Sequence, residues 1–399
     1  MVLIDKNKNS KFFSVMKMSI WLIYAMIALS GWSYYLLCDV LGLPFYVYEV
    51  FFVPIIFIYR NKIISGFGKI RKIYVFVALL LVFFLLFGLV INTKYMIEQI
   101  TTYRTIFYVF VFMYFFSIEK KFDIKFLQIL CTGASLGEFL FIQIISNSRD
   151  QIALNIVALS LMVIIPVIKN SLTETIFFTV FALIVSFRSS FRINIVIVLI
   201  ALLISVLYVM MIQKKIKALI LTVIIAIAGI TIAINFDSIV DLLVNILKID
   251  NAMSVYRITN RLKALFQADF QSSQDTVRFM LMAQIFTEFD VYFVPCGLIG
   301  KAINMYGRYK DAPIIFFYHA FGSPVSIALL GYIVTKACCF IKKYMFVKKN
   351  ELSIFGLMLP IYIVLFFLNG TFIINTYEAC LTGIVLGYWF NYNKIEVII

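Results

Sequence analysis

Residues 75–90 read VFVALLLVFFLLFGLV, sixteen apolar positions without a charge or a proline. A helix on the surface of a soluble protein would turn a polar residue outward every three or four positions. A strand of an outer-membrane barrel would alternate apolar and polar residues. This run does neither. In hydrocarbon every backbone polar group must be satisfied within the segment, so the run reads as a membrane helix.

Runs of the same kind recur along the whole chain. Of 399 residues, 63% are hydrophobic and 14% charged, and mean hydropathy is +1.01. That leaves too little polar surface for a soluble domain. A crossing needs about 17–25 mostly apolar residues. That length predicts about twelve spans, near 18–38, 42–59, 73–92, 103–118, 126–145, 152–168, 172–187, 193–211, 218–235, 313–335, 352–369 and 374–391. The expected fold is an all-α integral membrane protein, one polytopic domain over residues 1–399. The first run is too long for the core of a signal peptide, so an uncleaved first helix is expected.

The net charge of +15 does not point to nucleic acid. Lysines gather in short clusters between the runs, such as Lys120, Lys121 and Lys125, or Lys342, Lys343, Lys348 and Lys349. Such clusters mark cytoplasmic loops. Threading from a cytoplasmic N-terminus puts these clusters inside, and both termini become cytoplasmic. The expected location is a bacterial inner membrane. One connection stands apart: residues 236–312, on the outer, periplasmic side. Connections of that length are usually functional. Ile239–Leu247 and Arg278–Phe289 within it carry amphipathic helical patterns, suited to lying on a membrane surface.

The two basic residue types divide between the sides. The cytoplasmic side holds 20 lysines and 2 arginines of the 35 basic residues. The outer side holds 5 lysines and 8 arginines: Arg104, Arg149, Arg188, Arg192, Arg257, Arg261, Arg278 and Arg308. Orientation alone would accept either type. The planar guanidinium matches two phosphate oxygens at once, so the outer face looks suited to phosphate. Chance and snorkelling side chains are the plainer alternative. Arg188 and Arg192, and Arg257 and Arg261, are each four apart. On one helix that spacing shares a face, where like charges repel unless an anion lies between them. A lipid diphosphate would serve, and so would phospholipid headgroups.

Carboxylates inside a membrane are costly and usually functional. Glu49, Glu138 and Glu378 fall in the outer halves of their spans, and Asp275, Asp290 and Asp311 in the long loop. Any of these could act as a general base or pair with an arginine. The one histidine, His319, lies among aromatic residues and reads either as a proton acceptor or as a hydrogen-bonded packing residue. Six cysteines show no CxxC spacing, so no metal site is expected. Walker A, dinucleotide-binding, zinc-protease and serine-hydrolase motifs are missing from the sequence.

Three stretches carry a family resemblance: SFRSSFRINIVIVLIAL at 186–202, VRFMLMAQIF…VPCGLIG at 277–300, and DAPIIFFYHAFGSPVSIALLGYIV at 311–334. With the span count and the single large external loop, they resemble the O-antigen polymerases (Wzy) and, more remotely, the O-antigen ligases. The resemblance covers residues 180–335 locally and the rest by topology. Cys296 departs from the pattern by standing before the glycine of the loop turn. The ligases usually have a histidine near the position of Asp311, and His319 lies about two turns beyond it.

The resemblance implies a glycosyltransferase that needs no cofactor and no metal. The growing glycan would leave its undecaprenyl diphosphate and join an incoming lipid-linked repeat unit. Arg188, Arg192, Arg257, Arg261, Arg278 and Arg308 would bind the diphosphate. Asp311, His319 or Glu138 would take the acceptor proton. The implied partners are undecaprenyl-diphosphate-linked oligosaccharide, the lipid bilayer and a chain-length regulator protein, with no nucleic acid. A lipid-linked oligosaccharide flippase and an O-antigen ligase are the competing readings.

Overall fold

A computed structural model describes residues 18–43, 45–50, 104, 106–113, 123–145, 154–189, 192–212, 236–246, 321–347, 350–368 and 378–392, with isolated positions between 75 and 86. Among the described residues all regular structure is helical and there is no strand. In chain order the helices are α1 (Met18–Ala28), α2 (Trp32–Val40), α3 (106–113), α4 (Ile124–Ile145), α5 (Ile156–Lys169) and α6 (Leu172–Arg188). There follow α7 (Arg192–Met211), α8 (Phe236–Ile246), α9 (Ser323–Ile341), α10 (Ser353–Leu368) and α11 (Ala379–Phe390). α4, α7 and α9 with its extension to Val347 are long and apolar enough to cross a membrane. The bent pair α1–α2 makes a fourth candidate. The expected twelve spans go beyond what the described residues establish. The predicted span at 218–235 lies outside them, and so does most of the one at 73–92.

Two predicted spans differ in shape. The first, expected as one helix over 18–38, turns by 78° between α1 and α2. Ser30 Oγ donates to the Met26 carbonyl at 2.6 Å, and a Cβ on Gly31 would meet the Phe141 ring at 2.6 Å. The glycine makes room for that ring, against which Trp32 and Tyr35 pack edge-on. The tenth span, expected at 313–335, has its described helix starting only at Ser323. Gly322 has φ 75° and ψ 158°, a conformation essentially confined to glycine, and a proline follows in the first turn of α9. These two signals set the start of α9 after a break at Gly322, and residues 313–320 of the expected span lie outside the described residues.

α5 is the centre of the bundle. It packs against α4, α6, α7, α10 and α11, and every residue from Ile156 to Ile168 is buried. Its sequence IVALSLMVIIPVI is apolar all round, as a fully enclosed helix should be. In lipid, helices associate through close van der Waals fit, which small residues permit. Gly133 and Gly137 on α4 supply it against α1. A Cβ on Gly133 would lie 2.6 Å from the Leu22 carbonyl oxygen, and one on Gly137 would overlap the Met26 backbone. Large apolar side chains such as Ile144, Phe177 and Leu203 point outward, as a lipid-facing surface requires.

Several contacts join residues that the threading expects on one side of the membrane. Trp21 meets Phe126, Tyr208 Oη donates to the Met345 carbonyl, and Trp389 Nε1 donates to the Phe355 carbonyl. All six residues were placed at inner ends. Glu49 meets Arg104, the Glu138 carboxyl meets the Asn155 amide, and the Glu378 carboxyl meets the Ile156 amide. All of these were placed toward the outer side. The amphipathic pattern expected at Ile239–Leu247 forms helix α8, with Leu242 and Ile246 exposed.

Candidate functional site

Fourteen residues of α helix span only about 21 Å, less than the roughly 30 Å hydrocarbon core. The start of α5 is enclosed, Asn155 being fully buried, whereas Lys169 and Asn170 at its other end are partly exposed. A helix start leaves its first amides without intrahelical acceptors, which is costly where no water reaches.

Three side chains meet that need. Asn155 caps the helix: its Oδ1 accepts from the Ala158 amide at 3.0 Å. Its Nδ2 donates to the Leu29 carbonyl at 2.9 Å, at the break between α1 and α2. The Asn155 amide donates to Glu138 Oε1 at 3.1 Å, and the Ile156 amide donates to Glu378 Oε1 at 3.2 Å. Two glutamates far apart in sequence thus serve adjacent amides of one helix start. Both are buried, Glu138 fully and Glu378 to 1% exposure. The backbone of Gly31 lies against the Glu138 carboxyl. The second oxygen of each, Oε2, has no hydrogen-bond partner among the described residues.

Of the three residues expected to take a proton, the structure therefore places Glu138 inside the bundle, bound to a backbone amide. Asp311 and His319 lie outside the described residues, as do Arg257, Arg261, Arg278 and Arg308. Arg188 is described, and it corrects one expectation. It is the last residue of α6, and Arg192 is the first of α7. The turn between them breaks the helix, so the shared-face argument for this pair fails. That turn is closed by Ser189 Oγ donating to the Ser186 carbonyl at 2.7 Å and by Asn194 Nδ2 donating to Ser189 Oγ at 3.2 Å. Arg188 is only 7% exposed. It faces the protein, not the headgroup layer, and a cation at a helix C-terminus meets the favourable end of the helix dipole.

A second outer arginine has a structural partner. Arg104, just ahead of α3, forms a two-point ion pair with Glu49 through Nε and Nη2. The Tyr46 amide donates to Glu49 Oε2 at 2.8 Å, and the guanidinium lies 5.2 Å from the Tyr46 ring centroid. This fixes the 45–50 segment to the start of α3 and leaves Arg104 committed to a carboxylate. For Glu49 the plainer alternative, ion pairing, is what the structure contains.

The sequence offered signals for two features that its reading did not use. Asn155 directly before an apolar run is a helix-start signal. Gly133 and Gly137 are four apart within an apolar helix, the spacing of close membrane-helix crossings. Among the described residues no group of three or more His, Cys, Asp or Glu is arranged to hold a metal ion. No protein-family model, curated protein or solved structure matches this chain.

Proposed function

We propose that this protein polymerises lipid-linked oligosaccharide repeat units at the outer face of a bacterial inner membrane, as the O-antigen polymerases do. In this reading the chain crosses the membrane about twelve times with both termini inside. The observation that carries it is the division of basic residues, 8 of 10 arginines falling on the expected outer side while 20 of 25 lysines fall on the inner. Arginine's fork suits a diphosphate. The length of the 236–312 connection and the local resemblance support the same reading.

The reaction breaks the bond between the anomeric carbon of the donor glycan and its undecaprenyl diphosphate. The electron pair leaves on the phosphate oxygen. Arg188, Arg192, Arg257, Arg261, Arg278 and Arg308 are proposed to stabilise that developing charge. A hydroxyl of the incoming unit forms the new glycosidic bond, and its proton passes to a base. Asp311 is the first choice, followed by His319. Glu138, enclosed at the α5 start, would need a relay to reach a hydroxyl.

Deletion of the gene tests this. A strain lacking a polymerase shows surface core capped by a single repeat unit. A strain lacking a ligase or flippase shows no surface repeat, and that result would contradict the proposal. Complementation with Asp311→Asn is expected to restore at most about a tenth of the long chains, because general-base help typically gives 10²–10⁴-fold. A flippase is the second reading. It is favoured by one observation, a buried carboxylate pair beside a broken span, a combination common in ion-coupled transporters.

A further inference from the structure

The start of α5 collects carboxyl groups with no lysine or arginine recorded against them among the described residues. Two carboxyls, Glu138 and Glu378, approach it from α4 and from the residue ahead of α11. They hold adjacent amides and lie close enough to interact electrostatically. The break in the first span adds to this. α1 ends at Ala28, so the negative end of its dipole and the carbonyls at the bend come to the same place. The Leu29 carbonyl is tied to Asn155, and the Gly31 backbone touches Glu138. The opposing positive feature is the single helix start of α5.

The groups recorded around the pair are the amides of Gly31, Asn155 and Ile156 and the phenol of Tyr362. No lysine or arginine is among them. Each carboxyl keeps one oxygen, Oε2, buried and without a donor among the described residues. Ser135, one turn before Glu138 on the same face of α4, is also fully buried and its hydroxyl has no partner there. Enclosed carboxylates without a compensating charge are strongly unfavourable. Every spare atom at this point is an oxygen, and every spare atom can accept.

We infer that Glu138 and Glu378 hold a small monovalent cation, Na⁺ or H⁺, between their free Oε2 atoms at the break of the first span. A divalent ion fits poorly, because it wants more carboxylate or histidine ligands than the described residues bring together. A monovalent ion is satisfied by two carboxylate oxygens with a hydroxyl or carbonyl. This inference does not depend on the glycan reading.

The test uses purified full-length protein in detergent at constant pH and ionic strength. Thermal unfolding is followed in sodium chloride and in choline chloride, for the wild type, Glu138→Gln and Glu378→Gln. Glutamine keeps an oxygen for the backbone amide and brings a donor for the facing carboxylate, so both variants should fold. If sodium is the ligand, wild-type melting rises saturably by about 5 °C with sodium, and neither variant responds. If a proton is the ligand, sodium has no effect, and infrared difference spectra show a buried protonated carboxyl band that Glu138→Gln or Glu378→Gln removes. The inference is overturned if the wild type shows neither response, or if the sodium response survives in both variants.

Discussion

The two ends of α5 solve the same problem in opposite ways. At the inner end Asn170 turns the chain with φ 58°, and its amide reaches the Pro166 and Val167 carbonyls. Lys169 donates to Gln128, and Gln128 donates to Glu174. Donors there meet acceptors, a cation sits at the helix C-terminus where the dipole favours it, and the groups are partly open to water. At the outer end everything is enclosed, and two carboxyls serve two amides with oxygens to spare. An end that only had to finish a helix would need Asn155 and little more. What sets the start of α5 apart from its end is the pair of oxygens left over among the described residues, Oε2 of Glu138 and Oε2 of Glu378.

The largest expected effect breaks the outer end from outside. Gly137 lets α4 approach α1 closely enough to carry Glu138 to the bend, and an added methyl would overlap the Met26 backbone. Gly137→Ala should destabilise the protein by about 1–3 kcal/mol or more, as overpacking does. It should appear as a lowered melting temperature or as aggregated protein in size-exclusion profiles. Normal melting would mean that α1 and α4 do not cross as described.

A finer comparison sets the two ends against each other. Asn155→Ala removes the cap and leaves the Ala158 amide and the Leu29 carbonyl without their buried partner. A cost of about 2 kcal/mol is expected. Lys169→Ala, at the partly open end, should cost less than about 1 kcal/mol. Parallel thermal melts measure both, and equal losses would remove the asymmetry.

Much of this was legible in the sequence. Unbroken apolar runs fix helices, because lipid leaves the backbone no alternative. Lysine clusters suggest an alternation of spans, and contacts from Trp21 with Phe126 to Glu49 with Arg104 join residues expected on one side. The bend in the first span was hidden, because the ring packed against Gly31 at the bend, Phe141, lies more than a hundred residues away. The meeting of Glu138 with Glu378 was hidden for the same reason. Each was visible as a lone intramembrane carboxylate, and only the packing of α4 and α11 around α5 makes them a pair. Arg188 and Arg192 misled by spacing alone, since i and i+4 imply a shared face only while one helix continues.

The most direct test of the functional reading is reconstitution. Purified protein in liposomes is supplied with a synthetic undecaprenyl-diphosphate-linked repeat unit and no nucleotide, and the products are resolved by chain length. A polymerase yields a ladder of lipid-linked chains longer than one unit, with undecaprenyl diphosphate released at each addition. Movement of the single-unit lipid between leaflets, without any lengthening, would contradict the account and leave the flippase reading in its place.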